Sequence, residues 1–404
     1  MCRANFRPAG DSNKLMGHLN FQENPYIAIW ETTRACDLAC LHCRAEAIKW
    51  RHPLELTTQE SVQLIDQISQ CGKPLFVLTG GDPMKRVDLM ELIGYAVQTG
   101  LRVAMTPSGT PLMTRQAVTQ LKDVGLSRLA VSLDGSTGNI HDRFRQVPGS
   151  YGWTMDCIKY AHEVSLPIQI NTTVSRHNLH DLPALADLLL TMSITLWSVF
   201  FLVPTGRGKA EDGISADDYE RVFQFLVDLY LKAPFDIKTT AAPHYRRVLL
   251  QRLKDIPAQQ CPKKLLQAGP IARAAGVNEG RGFLFISHTG EIYPSGFLPI
   301  SAGNIRRNSL IDVYRNSPLF RDLRDTSKLK GKCGVCEFKK VCSGSRARAY
   351  AMTGDYLAEE PFCSYIPRNL CLAESAKADA SRAENALPAS RSHAALQRLH
   401  TQNP

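Results

Sequence analysis

The chain has 404 residues, 44% of them hydrophobic, with twelve cysteines and a formal net charge of +10. That length and apolar content can bury a core large enough for one sizeable domain and a smaller one, which excludes a disulfide-stapled miniprotein or a disordered chain. No nucleic-acid motif accompanies the positive charge, so no nucleic-acid partner is expected; nothing spans a membrane, and Met1 to Asn24 lacks the apolar core of a signal peptide.

From Tyr26 to about Leu231, apolar runs alternate with helix-period segments, the pattern of repeated βα units around a parallel sheet. Six strands are predicted, beginning near Tyr26, Leu75, Leu101, Arg128, Pro167 and Thr195. The first leads into Cys36-Asp37-Leu38-Ala39-Cys40-Leu41-His42-Cys43. Three thiolates at this spacing can hold three irons of a cubic 4Fe-4S cluster and leave the fourth iron open, whereas ordinary electron carriers close the cluster with four cysteines. A zinc knuckle is the plainer alternative. Thr57 with Glu60 forms a capping-box pattern, Val62, Ile65 and Ile68 fall on one helix face, and Gly72 ends that helix. The next helix carries Leu89, Leu92, Ile93, Ala96 and Val97 and stops at Gly100.

Polar groups gather after the strands. Gly80-Gly81-Asp82-Pro83 follows the second: paired glycines admit a ligand to the backbone and a carboxylate accepts from a cation, though the same residues also make an ordinary turn. Ser108 follows the third strand, and Ser132-Leu133-Asp134-Gly135 ends the fourth, where a hydroxyl and a carboxylate can bond sugar hydroxyls or, again, form a turn. Asp142 and Arg143 come next, the arginine suited either to clamp a carboxylate or to cover apolar surface. Val203-Pro204-Thr205-Gly206 ends the sixth strand.

Past Pro234 the alternation breaks down. A helical segment is predicted near Tyr245 to Leu253, a hairpin from Gly282 to Pro294 and an amphipathic stretch around Leu310 to Leu323. Then follow Cys333, Cys336 and Cys342, with Cys363 after a gap, four cysteines that suit either a closed cluster or a zinc site. Cys2, Cys71, Cys157, Cys261 and Cys371 show no ligand spacing, although Cys261, near the domain junction, is placed to replace a missing ligand. Cysteines grouped as ligands point to a reducing cytoplasm. Between Arg321 and Arg348 nine Lys or Arg stand against three acids; such a surface can steer an acidic electron donor, bind an acidic substrate, or simply be solvated charge. From Arg368 to Pro404 the composition shifts to Ala, Ser, Arg and Glu, which predicts a disordered or loosely helical tail.

The C-x3-C-x2-C spacing, the strand before it and the aromatic His42 before the last cysteine together resemble the radical S-adenosylmethionine (SAM) superfamily, over nearly everything from Tyr26 to Pro367. The resemblance implies an α/β fold whose core is a partial (β/α)6 TIM-like barrel, with its chemistry at the C-terminal ends of the strands. It implies that Cys36, Cys40 and Cys43 ligate a 4Fe-4S cluster whose unique iron chelates SAM. Gly80, Gly81 and Asp82 stand where the family has Gly-Gly-Glu-Pro and would bind the SAM ammonium. Ser132 and Asp134, with Ser108 as a further candidate, would contact ribose, and the Val203 to Gly206 backbone adenine. The second cysteine group resembles the SPASM domain, which implies one auxiliary 4Fe-4S cluster on Cys333, Cys336, Cys342 and Cys363. Ser295, Ser345 and Arg346 stand where that domain has further cysteines, so its other cluster is expected to be missing. The implied organisation is an N-terminal extension over 1–24, a barrel over 25–234, a SPASM-like domain over 235–367 and a tail over 368–404.

The implied activity is reductive cleavage of SAM to methionine and a 5′-deoxyadenosyl radical, which takes a hydrogen atom from a substrate whose electron passes to the auxiliary cluster. A flavodoxin or ferredoxin would supply the reducing electron, and no catalytic residue is assigned beyond the cluster ligands. Gly290 to Tyr350, including Gly296-Phe297-Leu298-Pro299 and Arg346-Ala347-Arg348-Ala349-Tyr350, most resembles enzymes of heme d1 and alternative heme biosynthesis, which act on tetrapyrrole propionates. Peptide maturases of the PQQ and mycofactocin type are the alternative substrate class. A non-catalytic iron-sulfur electron carrier or scaffold is the alternative of another kind.

Overall fold

The computed structural model describes residues 20–256 and 276–370. Ten strands form one sheet: β1 Ile27–Glu31, β2 Leu75–Thr79, β3 Arg102–Met105, β4 Arg128–Ser132, β5 Ile168–Val174, β6 Leu196–Phe201, β7 Asp236–Thr240, β8 Phe283–Ile286, β9 Glu291–Tyr293 and β10 Gly303–Asn304. Their order is β10-β9-β8-β1-β2-β3-β4-β5-β6-β7. Neighbours from β1 to β7 pair in parallel, and β8 joins β1 in parallel on the other side. The hairpin β8–β9 and the β9–β10 pair are antiparallel. This is the α/β partial barrel, with β7 and β10 as its edges.

The helices are α1 Thr58–Gln70, α2 Leu89–Gln98, α3 Arg115–Asp123, α4 Gly138–Arg145, α5 Ser150–Glu163, α6 Leu182–Leu190, α7 Ala216–Lys232, α8 Tyr245–Asp255, α9 Leu310–Asn316, α10 Pro318–Arg324, α11 Gly331–Val335 and α12 Arg346–Thr353. The capping box forms at α1: Thr57 accepts from the Glu60 amide, and the Glu60 carboxylate accepts from the Thr57 amide at 2.8 Å. Leu64, Ile65 and Ile68 of that helix are wholly buried against the sheet, each contributing about 1.5–3 kcal/mol. The single amphipathic stretch expected over Leu310 to Leu323 is two helices, because Ser317 caps α10 and Pro318 cannot continue α9.

Four strands extend the sheet beyond the six expected of the barrel, and two of them, β8 and β9, form the hairpin expected from Gly282 to Pro294. β7 lies past Pro234 and reads Asp-Ile-Lys-Thr-Thr, with Ile237 its one large apolar residue, because Lys238 and Thr240 face the barrel cavity rather than a core. β8 returns from the C-terminal part to pair with β1, so the sheet draws on residues beyond the boundary expected at 234. Arg348 of α12 fastens the C-terminal part to the strand ends: it is fully buried, pairs with Glu360 at 3.0 Å, and donates to the Ala241 carbonyl at 2.6 Å and the Leu202 carbonyl at 3.3 Å. Cys2, Cys261, Cys371 and most of the expected N-terminal extension and C-terminal tail lie outside the described residues.

Candidate active site

The loop after β1 carries Cys36, Cys40 and Cys43 to the cavity wall at the C-terminal ends of the strands. Its backbone is held by the segments that follow β2 and β6. Gly81 donates to the Thr33 carbonyl and Asp82 to the Ala35 carbonyl, each at 2.7 Å; Arg207 donates to the Cys43 carbonyl at 3.0 Å. A Cβ at Gly80 or Gly81 would sit 2.5 Å from the Thr33 oxygen or 2.4 Å from the Ala35 oxygen. Gly206, at φ +58, would put one 2.4 Å from the Arg44 oxygen. The glycines thus admit the loop's own backbone, although Gly80 and Gly81 also line the cavity.

All seven expected ligand cysteines receive a hydrogen bond at sulfur. In the first set Leu38 N donates to Cys36 Sγ at 3.3 Å, Ala47 N to Cys43 Sγ at 3.5 Å and the Arg145 guanidinium to Cys40 Sγ at 3.5 Å. In the second, Glu360 N donates to Cys333 Sγ at 3.3 Å, Phe338 N to Cys336 Sγ at 3.4 Å and Gly344 N to Cys342 Sγ at 3.4 Å, and the Tyr365 backbone serves Cys363. Cys71 differs: its Sγ donates to the Gln67 carbonyl at 3.1 Å, as a thiol does. Donors aimed at sulfur suit thiolates bound to a cluster, whose potential such bonds tune. Burial pushes the Cys36 and Cys363 thiols up to about 11, so they ionise on binding metal rather than in its absence. Cysteines that line a cavity and receive protein donors at sulfur suit iron-sulfur ligation in both sets.

Of the residues expected to touch SAM, Gly80, Gly81, Ser108 and Ser132 line the cavity. Asp82 and Asp134 do not: both have no exposed surface, and their oxygens face protein partners. Asp82 caps the turn at Met84 N (3.2 Å) and accepts from Thr110 Oγ1 at 2.7 Å. Asp134 accepts from Thr173 N at 2.7 Å and forms an ion pair with Arg145. Ser108 Oγ bonds the Gly81 carbonyl at 2.5 Å and lies 3.2 Å from Cys36 Sγ. Arg143 is exposed, whereas Arg145, two residues on at the end of α4, is the buried arginine that reaches Cys40. Burial works against the Arg145 charge, but Asp134 and Cys40 more than offset it and hold the guanidinium ionised. His42 stacks on Phe144 at 4.4 Å and lines the cavity; burial, with Arg145 and Arg207 nearby, keeps its ring neutral.

The cavity encloses about 2080 Å³, open mouth included, and its two sides differ. Ile27 and Ile29 of β1, Leu75 and Val77 of β2, Ala104 of β3 and Phe283 and Phe285 of β8 make one wall apolar. Arg128 of β4, Gln169 and Asn171 of β5 and Lys238 of β7 bring polar and cationic groups to the other, which Ala130 of β4 and Phe200 and Phe201 of β6 also line. Alternation along β1, β2, β4, β5 and β8 puts their residues on one face.

In the C-terminal part, Cys333, Cys336, Cys342 and Cys363 surround one small cavity with His244, Arg247 and Glu360. The positions expected to lack ligands are filled otherwise. Ser295 lines the main cavity, Ser345 Oγ donates to Glu279 at 3.0 Å, and Arg346 is buried, donating to the Ala358 and Tyr356 carbonyls at 2.6 and 3.0 Å. Three of the nine cations in the basic stretch form ion pairs, Lys328 with Asp322, Lys330 with Asp355 and Arg348 with Glu360, and Lys332 and Lys339 donate to the Cys363 and Gly334 carbonyls.

Residues 30–189 match the Radical SAM superfamily, and residues 278–337 match SPASM, an iron-sulfur cluster-binding domain. The chain is 42% identical to the "AdoMet-dependent heme synthase" of Methanosarcina barkeri, over 85% of this chain and 97% of that one. It is 29% identical to the "Fe-coproporphyrin III synthase" of the same organism, over 87% and 92%. Among solved structures, SuiB of Streptococcus suis bound to precursor peptide SuiA shares the fold, with a TM-score of 0.65 at 18% identity over 85% of this chain and 76% of that one. With its two cysteine sets, their sulfur-directed donors and this likeness along nearly its whole described length, the chain belongs to the radical SAM superfamily, in its SPASM-bearing branch, and there to the family of the AdoMet-dependent heme synthases.

Proposed function

We propose that this radical SAM enzyme turns propionate side chains of an iron coproporphyrin into the vinyl groups of heme. The observation that supports the reading is the two-sided cavity beneath the cysteine loop: an apolar wall for a flat macrocycle faces a cationic wall for the carboxylates at its rim. For each side chain the balance is loss of one hydrogen atom from the carbon next to the ring, then of CO2 and one electron as the double bond forms. A cluster on Cys36, Cys40 and Cys43, when bound, supplies the electron that cleaves SAM to methionine and the 5′-deoxyadenosyl radical, the hydrogen acceptor. The four-cysteine set would hold the group that takes up the electron released with CO2.

The chain's own residues position these parts. Gly80, Gly81, Ser108 and Ser132 are the cavity groups through which SAM is held, and neutral His42 offers a flat face beside them. Asp82 acts behind that wall by fixing the turn and Thr110; Asp134 acts by fixing Arg145 against Cys40. Apolar residues on the β1, β2 and β8 side exclude water from the reacting carbon. The net charge of +10 favours an acidic flavodoxin or ferredoxin as electron donor, whose reaction should slow as salt rises. No helix among the described residues is long and apolar enough to cross a membrane, and cysteines grouped as cluster ligands suit a reducing cytoplasm. The test is anaerobic incubation of reconstituted protein with SAM, dithionite and Fe-coproporphyrin III, followed by mass spectrometry of the porphyrin. Loss of CO2 and two hydrogens per converted side chain is expected; an unchanged porphyrin alongside 5′-deoxyadenosine would overturn the substrate assignment.

A further inference from the structure

Most cations around the cavity already have partners. Arg44 pairs with Glu31 at 2.8 Å, Arg145 pairs with Asp134, and Arg246 donates to the Val277 and Val341 carbonyls at 2.7 and 3.0 Å. Arg128 reaches Gln169 Oε1 at 3.4 Å and is offset in part by Asp236. Lys238 is different. Among the described residues no acceptor or carboxylate meets its ammonium, and the charged groups acting on it are Arg128 and Arg246, both of its own sign. Burial first, then those two guanidiniums, push its ammonium down to about 8. Lys238 is half-buried on the cavity wall, and a charge held there with only like charges near it costs the empty protein stability. A group held at that cost on a cavity wall points to a counter-charge that arrives with the ligand.

We propose that Lys238, with Arg128 beside it, binds a carboxylate of the substrate that does not react. The inference rests on the tetrapyrrole reading above: coproporphyrin carries four propionates and heme keeps two, so two react and two must be held. Arg128 opens β4 four residues before Ser132, about 13 Å further from the strand ends at about 3.3 Å per residue. The reacting side chains must lie near the cysteine loop, at the strand ends. Those on the opposite edge of the macrocycle then point toward Arg128; Lys238, two residues before the end of β7 and on the Ser132–Asn171–Ser198 rung of the ladder, stands within electrostatic reach of Arg128 from the side.

The experiment is a titration of the reconstituted full chain with Fe-coproporphyrin III, followed by the Soret band, for wild type, Lys238→Met and Lys238→Arg. Lys238→Met should weaken binding about ten- to hundredfold, the loss of one charge-assisted hydrogen bond, and Lys238→Arg should restore most of it. The thermal midpoint of Lys238→Met should hold or rise, since no partner is left behind. The tetramethyl ester, which has no carboxylate, should bind wild type and Lys238→Met alike. Equal Fe-coproporphyrin III affinity in wild type and Lys238→Met overturns this inference alone, as does an equal loss with the ester. A wild type that binds no Fe-coproporphyrin III overturns the tetrapyrrole reading and this inference with it.

Discussion

Glu31→Gln tests how the cysteine loop is anchored. Glu31 ends β1 with 1% of its side chain exposed and takes Arg44 at 2.8 Å, His288 at 2.9 Å and Arg34 at 3.4 Å. One carboxylate thereby joins the first strand, the loop and the β8–β9 turn. Burial alone would raise its pKa, but Arg44, then His288 and Arg34, hold it down to about 2 from 4.5. That gap corresponds to about 3 kcal/mol of stability. Because the folded value is the lower one, the contribution is complete above about pH 4.5 and fades as pH falls toward 2. Urea unfolding of anaerobically purified wild type and Glu31→Gln should therefore differ by about 3 kcal/mol at both pH 7 and pH 5.5. Glu60 is the contrast: Arg306 above all draws it down to about 2 as well, but the pair is exposed. Solvent screening leaves such a pair worth about 1 kcal/mol or less, and glutamine preserves the capping box, so Glu60→Gln should cost little. Equal costs for the two substitutions, or a Glu31→Gln effect below about 1 kcal/mol, would refute the reasoning.

Replacing Cys36, Cys40 and Cys43 together by Ala should leave about four irons per chain, one closed cluster; about eight would reveal ligands outside the described residues, Cys261 first, and bound zinc would replace the cluster assignment. Cys71→Ala should keep the full iron content, because that thiol donates to a helix carbonyl; iron loss would make it a ligand. Arg145→Leu strands the buried Asp134 carboxylate and should cost about 3–5 kcal/mol. Adding Asp134→Asn should recover much of it in thermal unfolding, and no recovery would mean that the pair is not what stabilises α4.

The parts of this fold that could be read from sequence were those written locally. Cys36 to Cys43 is a spacing within eight residues, and the Thr57–Glu60 cap and the Gly72 and Gly100 stops lie within one helix. β7 escaped because its cavity-facing residues, Lys238 and Thr240, leave it too polar to look like a strand. Asp82 and Asp134 sit in turns after strands, where a ligand contact is expected; the structure buries both against distant partners, Thr110 and Arg145. Arg145 was missed for the same reason. Its one local signal is position at the end of α4, where Arg143 competes, and helix geometry turns one into the protein and the other to solvent. Lys238 has no local signal at all: its meaning lies in which charges the barrel brings around it.

Deuterium shows most directly whether the porphyrin side chain gives up the hydrogen. Fe-coproporphyrin III deuterated on its propionate carbons, incubated anaerobically with SAM, dithionite and the reconstituted protein, should yield 5′-deoxyadenosine one mass unit heavier together with vinyl product, and Cys40→Ala should yield neither. Unlabelled 5′-deoxyadenosine from wild type in the presence of the deuterated porphyrin, or unchanged cleavage in Cys40→Ala, would contradict it.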